Sequence, residues 1–247
     1  MSKFTFPSIK ETNDLSSLRL EVRGFISECI NNNEFVPAAD SWVFAADPEF
    51  SRKLGSKGWL GMSFPKQYGG NERTALERYV VTEELLASGA PVAAHWIADR
   101  QSGSQILRYG TEKQKSSIIP EISSGECFFA IGMSEPDSGS DLASVKTKAT
   151  KTVTGWKLEG RKIWSTGAHL CNYMIVLART GPPSEKNRHE GLSQFLVDLS
   201  LPNVNIMLCT IEENRSKSLT GTGFEKDLAD WSKISQNILI WDYVINF

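Results

Sequence analysis

The spacing of the apolar residues changes once along this chain, close to Gly125, and that change limits the folds open to it. Before Gly125 the spacing is helical. Leu15, Leu18, Val22, Phe25, Ile26 and Cys29 recur three and four positions apart, which predicts an amphipathic helix with one buried stripe. Asp47-Pro48 sets a capping carboxylate ahead of a proline in the first helical turn and predicts a helix running towards Lys57. Trp59 to Gly70 carries too many breakers for a regular element and is expected to be a loop. Helices are expected over Thr74 to Ser88, stopped by Gly89, and over Pro91 to Arg108, ending at Gly110. Thr111 and Gln114 have capping-box spacing and open another.

Beyond Gly125 the runs are short, β-branched, aromatic or alternating, and turn residues separate them: Cys127–Ile131, Ser144–Ala149, Lys157–Glu159, Tyr173–Ala178, Gln194–Asp198 and Pro202–Ile206. Thr154-Gly155 has the character of a hairpin turn. Thr210 to Lys226 is polar and rich in Ser, Thr and Gly, and apolar character returns at Ile234 to Val244. A helical block followed by a strand block implies an α+β fold or two separate domains, with the boundary near Gly125.

Composition narrows the function classes. With 247 residues and 40% hydrophobic content the chain can fill one large core or two ordinary ones. Lys and Arg number 27 against 29 Asp and Glu, a net charge of -2, so neither nucleic acid nor a membrane surface is an expected partner. Lys146 and Lys148 share a face of a predicted strand, and that face is read as solvated. Cys29, Cys127, Cys171 and Cys209 are widely spaced without a C-x-x-C pair, which speaks against a zinc site or a disulfide framework and for small buried apolar roles in a reducing compartment. The N-terminus has no long apolar run, and no stretch approaches the roughly 18 apolar residues of a membrane span, so the expectation is a soluble cytoplasmic protein.

Two loops carry the chemistry. Ile131 to Asp141 reads I-G-M-S-E-P-D-S-G-S-D, with three glycine or proline breakers, three serines and three acids directly after an apolar strand. Such a mixture is disfavoured inside helices and strands, and a polar loop on a strand end presents hydroxyls and backbone N–H groups to a ligand. Gly160 to Gly167 reads G-R-K-I-W-S-T-G. These loops, with G-W-L-G-M-S-F-P-K-Q-Y-G-G (Gly58–Gly70), V-V-T-E-E-L-L-A-S-G-A-P (Val80–Pro91) and R-Y-G-T-E-K-Q-K (Arg108–Lys115), resemble the acyl-CoA dehydrogenase family over residues 10 to 206. Pro91 to Gln101 looks most like a branch that handles bulky acyl groups, including steroid side chains.

The resemblance implies an α+β chain: an all-helical N-terminal domain (1–125), then a partial antiparallel β-barrel-like middle domain (126–206, incomplete), then a divergent tail (207–247). It implies FAD as cofactor and α,β-dehydrogenation of an acyl-CoA thioester, in which a carboxylate takes the α-proton and the β-hydride passes to the flavin. Met133 and Ser134 are expected against the flavin, Ser134 towards its pyrimidine edge, with Ile131 on the same strand edge. Trp164 is expected against the ring system, Ser165 through its main chain, and Thr166 with its hydroxyl towards N5; Ser140 is expected near the thioester of the substrate. Without the resemblance Ser134 reads as an N-cap or turn serine and Trp164 as core. Glu135 and Asp141 read as acceptors that fix the loop, and one of Glu83 and Glu84 as solvated; His95 and Trp96 are either core or acyl-pocket wall, and His169 either surface or flavin rim.

In the family the proton-abstracting base comes from a C-terminal helical bundle. Here the similarity stops after Asp198–Ile206 with no bundle following, and Glu212, Glu213 and Glu225 stand in no motif, so the catalytic base is unassigned. The alternative reading is a truncated, non-catalytic relic or a partner subunit lacking the base. Expected partners are the acyl-CoA, an electron-transfer flavoprotein-type acceptor, and further subunits in a homo- or hetero-oligomer.

Overall fold

The computed structural model describes residues 12–153, 155–206 and, as backbone, 238–244. Cys209, Glu212, Glu213, Glu225 and Thr154 lie outside the described residues. The chain divides into two units, Met1–Cys127 and Phe128–Phe247.

The first unit is helical. Helix α1 (Asn13–Asn31) buries Leu15, Leu18, Val22, Ile26 and Cys29, with Phe25 packed at the edge of the same core. After the one-turn helix α2 (Ser41–Phe44) comes α3 (Pro48–Ser56), whose Asp47 carboxylate accepts from the N–H groups of Glu49 at 2.8 Å and Phe50 at 3.0 Å. Two orphan donors of the first turn are satisfied in this way. Trp59 to Gly70 contains only a single 3₁₀ turn at Lys66–Tyr68, yet Trp59, Leu60, Met62 and Phe64 are all buried, so this loop supplies core.

Helix α4 (Ala75–Ala87) is opened by Thr74 and Glu77 in a reciprocal capping box, and it packs against α1. Arg19 and Arg23 of α1 both reach Glu84, which is buried; Arg19 also meets the half-exposed Glu83 at 2.6 Å. The helix expected from Pro91 begins two residues later, because Val92 pairs with Ala46 in an isolated bridge. It then runs as α5 (Ala93–Ile97), a widened π turn (Ala98–Ser102) and α6 (Gly103–Tyr109). The π turn coincides with an inward-facing acid: Asp99 accepts from the Gly61 N–H at 2.8 Å and from Arg78 at 3.1 Å. Helix α7 (Glu112–Ser124) carries the Thr111/Gln114 capping box and ends on Gly125, whose φ of 78° is the left-handed cap that glycine adopts without strain.

The second unit is a curled sheet with strand order β1-β4-β2-β3-β7-β6 and β5 on β4. β1 (Phe129–Gly132) runs parallel to β4 (Tyr173–Arg179), and β5 (Leu192–Asp198) runs antiparallel to β4. β2 (Lys148–Lys151) and β3 (Trp156–Lys162) form a hairpin, closed by a Thr152 N–H to Gly155 carbonyl bond of 2.8 Å. β6 (Val204–Asn205) is shorter than expected, and β7 (Ile238–Val244) pairs antiparallel with β3. Ala130, Ala149, Leu158, Met174, Val176, Phe195 and Val197 fill the core beneath.

The strand expected at Ser144–Ala149 starts only at Lys148, after a 3₁₀ turn at Leu142–Ser144. The Glu135 carboxylate takes the N–H groups of Lys146 at 2.6 Å and Thr147 at 2.9 Å, so neither donates to a ladder. Side chains alternate all the same: Lys146 and Lys148 are exposed, Thr147 and Ala149 buried. Among the described residues no helix is long and apolar enough to cross a membrane, and no group of His, Cys, Asp or Glu is arranged to hold a metal ion.

Candidate cofactor site

Both polar loops leave the sheet unit at strand ends, the first after β1 and the second after β3. Ile131 is half-buried on β1, opposite Ile175 of β4. Met133 and Ser134 follow, half-buried, and the chain then folds into a tight turn: the Glu135 N–H donates to the Ser138 carbonyl at 2.7 Å, and the Ser138 N–H returns to the Glu135 carbonyl at 3.1 Å. Pro136 and Asp137 form its exposed tip. Ser138 and Ser144 both donate their hydroxyls to the Asp141 carbonyl at 2.8 Å, and the Asp141 carboxylate pairs with Arg188 at 2.7 Å. Glu135 and Asp141 are thus acceptors that hold the loop.

The second loop meets the first at two points. The Ile163 N–H donates to the Ser134 carbonyl at 3.0 Å. Beside it the Lys162 side chain, fully buried, places its ammonium 3.1 Å from the Met133 carbonyl and 2.8 Å from the Glu135 carboxylate. Burial favours the neutral acid at Glu135, yet the bonds from Lys162 and from the Lys146 and Thr147 amides outweigh it and hold the carboxyl below its ordinary range. Burial draws the Lys162 ammonium down from its usual value, and Glu135 opposes that. Sequence reasoning passed over Lys162. The signal that finds it is strand alternation: Leu158, Gly160 and Lys162 share one face of β3, and Leu158 is in the core.

Past Ile163 the backbone turns sharply. Trp164 takes a φ of 59°, uncommon for a residue with a side chain, and its indole is 66% exposed at the strand end. The Thr166 N–H closes on the Trp164 carbonyl at 3.1 Å, and a 3₁₀ turn over Ala168–Leu170 follows. The Ser165 hydroxyl is buried without a hydrogen-bond partner, whereas Thr166 and His169 are exposed. Ser140 stands past the Glu135–Ser138 turn, exposed, and no hydrogen bond ties it to the second loop. The Ile163–Ser134 bond and the Lys162–Met133 bond therefore tie the Met133–Ser134 segment to the strand end that leads into Trp164–Thr166. His95 and Trp96 belong to the helical unit. His95 is buried with its Nδ1 2.8 Å from the Ser51 hydroxyl, and with Trp96, Arg78, Asp99 and Arg100 it lines a small recess of the helical unit.

An exposed indole held in a left-handed backbone, an orphaned buried hydroxyl beside it, and a serine loop fixed alongside fit the needs of a flat heteroaromatic cofactor with polar edges. Comparison with known proteins gives the family of the chain. The acyl-CoA dehydrogenase N-terminal domain matches residues 12–126, and the acyl-CoA dehydrogenase middle domain matches residues 130–216, ten residues beyond Ile206. A domain of unknown function (DUF4838) matches residues 199–247. The acyl-CoA dehydrogenase FadE26 of Mycobacterium tuberculosis is 34% identical over 146 residues, 59% of this chain and 36% of that protein. The Tcur3481-Tcur3483 steroid ACAD superposes with a TM-score of 0.71 at 32% identity, covering 83% of this chain and 53% of that one. A glutaryl-CoA dehydrogenase from Mycobacterium smegmatis, solved with FADH2, superposes with a TM-score of 0.65 at 25% identity over 81% of this chain and 49% of that one. The chain thus spans about half the length or less of these relatives. Two consecutive domain matches across both units, in the order of the motifs, mean that the chain belongs to the acyl-CoA dehydrogenase family.

Proposed function

We propose that the chain carries part of an FAD cradle and serves α,β-dehydrogenation of an acyl-CoA thioester. FAD, when bound, supplies the hydride acceptor of that reaction. On this reading Trp164 offers the flat apolar face, the Ser134 hydroxyl and the Met133–Ser134 backbone hold the pyrimidine edge, and Ser165 and Thr166 supply the polar contacts next to the indole. Ser140 contacts the acyl-CoA near its thioester. The substrate class is a bulky acyl-CoA, steroid side chains included, which the likeness to a steroid ACAD supports. An electron-transfer flavoprotein-type acceptor and further subunits complete the system, and the base that takes the α-proton is assigned to no residue of this chain.

The observation that carries the reading is the joining of the two loops: the Ile163–Ser134 bond and the Lys162 ammonium tie the Ser134 loop to the strand end that leads into Trp164. The test is a visible absorbance spectrum of the purified chain with and without added FAD, followed by acyl-CoA. A retained flavin band that bleaches on acyl-CoA is the expected result for a catalytic chain. A retained band that never bleaches makes the chain a partner subunit without a base, and failure to retain any flavin overturns the cradle.

A further inference from the structure

The two loops of the candidate cradle are far apart in sequence, and only a few bonds tie them together. One is the main-chain bond from Ile163 to Ser134. The others converge on Lys162 at the end of β3. Its side chain is 0% exposed, and the Glu135 side chain that receives it is 6% exposed. An ammonium so far from water is costly unless it is paired and hydrogen-bonded. Here it has two partners, and both belong to the first loop: the Met133 carbonyl at 3.1 Å and the Glu135 Oε1 at 2.8 Å.

Glu135 passes the constraint onward. Its two oxygens also accept from the N–H groups of Lys146 and Thr147, the segment that leads into β2. Thr147 in turn accepts from the Arg179 N–H on β4 at 2.8 Å. One buried charge pair therefore connects the ends of β1 and β3 with the start of β2. A pair made only for stability is often replaceable by well-packed apolar residues, whereas a pair used for registry is not. Both residues adjoin the cradle: Lys162 bonds the Met133 carbonyl and lies two residues before Trp164, and Glu135 follows Ser134 directly.

We propose that Lys162 is the positioning residue of the cofactor cradle, its ammonium clasped between Met133 and Glu135 so that the Ser134 loop and the Trp164–Thr166 loop meet the flavin as one preassembled surface. The proposal rests on the flavin reading above. Lys162 touches neither cofactor nor substrate; it acts through the Met133 backbone and Glu135. Preassembly matters because a ligand that must order two loops loses affinity in doing so.

The test uses the full chain with FAD itself as probe. FAD is titrated while tryptophan fluorescence is followed, in wild type and in Lys162→Met, Lys162→Arg and Glu135→Gln, and each apo variant is melted by circular dichroism. The expected result is at least tenfold weaker FAD binding in Lys162→Met, with a cooperative apo melt and partial recovery in Lys162→Arg, which restores the positive charge. If Lys162→Met does not melt cooperatively, Glu135→Gln decides: it keeps the volume, removes the charge of the clasp, and is expected to weaken FAD by at least tenfold while still folding. Wild type that binds FAD together with a folded variant that binds it equally well overturns the positioning role and leaves the cradle standing. Wild type that binds no FAD overturns the cradle and the positioning role together.

Discussion

His95 shows how burial and hydrogen bonding set one residue's chemistry. The Ser51 hydroxyl lies 2.9 Å from the Asp47 carbonyl and 2.8 Å from His95 Nδ1. A hydroxyl has one proton; given to Asp47, it leaves the oxygen to accept from an Nδ1–H. Burial pushes the imidazole pKa down from 6.5 to about 4, with Asp99 nearby opposing and Arg100 adding to the shift. The folded protein thus holds His95 neutral at pH 7. Because the unfolded chain takes the proton first as pH falls, the stability contributed by the neutral ring is complete above pH 6.5 and is lost progressively between 6.5 and about 4. A shift of this size corresponds to about 3 kcal/mol at the acid end. Urea unfolding of wild type and His95→Asn at a series of pH values is expected to show a steeper fall from pH 6.5 to 4.5 in wild type. Identical slopes would mean that the ring is not protected from protonation by its burial.

At the scale of elements, β3 is constrained on its inner face by close approach to the segment before β2. A Cβ added at Gly160 would lie 2.6 Å from Thr147 Cβ and 2.7 Å from its Cα. Thr147 cannot retreat easily, because its N–H is bonded to Glu135 and its carbonyl to Arg179. Gly160→Ala is therefore expected to cost about 2 kcal/mol, as overpacking of a fixed site does. Lys157→Ala, at a half-exposed position of the same strand, should stay within about 0.5 kcal/mol, as most surface substitutions do. Denaturant midpoints compare the two, and equal effects would remove the steric account. The reach of the sequence is visible in the same elements. Caps at Asp47, Thr74 and Thr111 lie within a few residues of the amides they bind, so the starts of α3, α4 and α7 could be read directly. The start of β2 could not, because Glu135, eleven residues back, takes the amide of Lys146. The two polar loops were legible as motifs, but the clasp that joins them was not: Lys162 reads locally as one more basic residue beside Arg161.

At the scale of the molecule, the helical unit has the properties of an independent folding unit. Among the described residues its core cluster, from Leu15 to Val92, contains none from the sheet, and the sheet has its own cluster around Leu158, Met174 and Val176. Several buried polar groups of the helical unit find partners inside it, while the Ser102 hydroxyl and Arg78 Nε stay buried without one. Ser51 meets His95, Asp99 meets Gly61 and Arg78, and Glu84 meets Arg19 and Arg23. A segment with its own apolar core and a polar interior paired mostly within itself, in the common size range of about 50–250 residues, meets the conditions for folding alone. Residues 1–127 expressed by themselves are therefore expected to give a helical circular dichroism spectrum and a single cooperative melt. The same fragment carrying Leu54→Ala, at a side chain with no exposed surface, should melt lower by the about 2–5 kcal/mol that deleting a buried leucine costs. A broad, non-cooperative transition in the unmutated fragment would show that the helical core is completed by residues beyond Cys127, and the division into two folding units would then describe geometry alone.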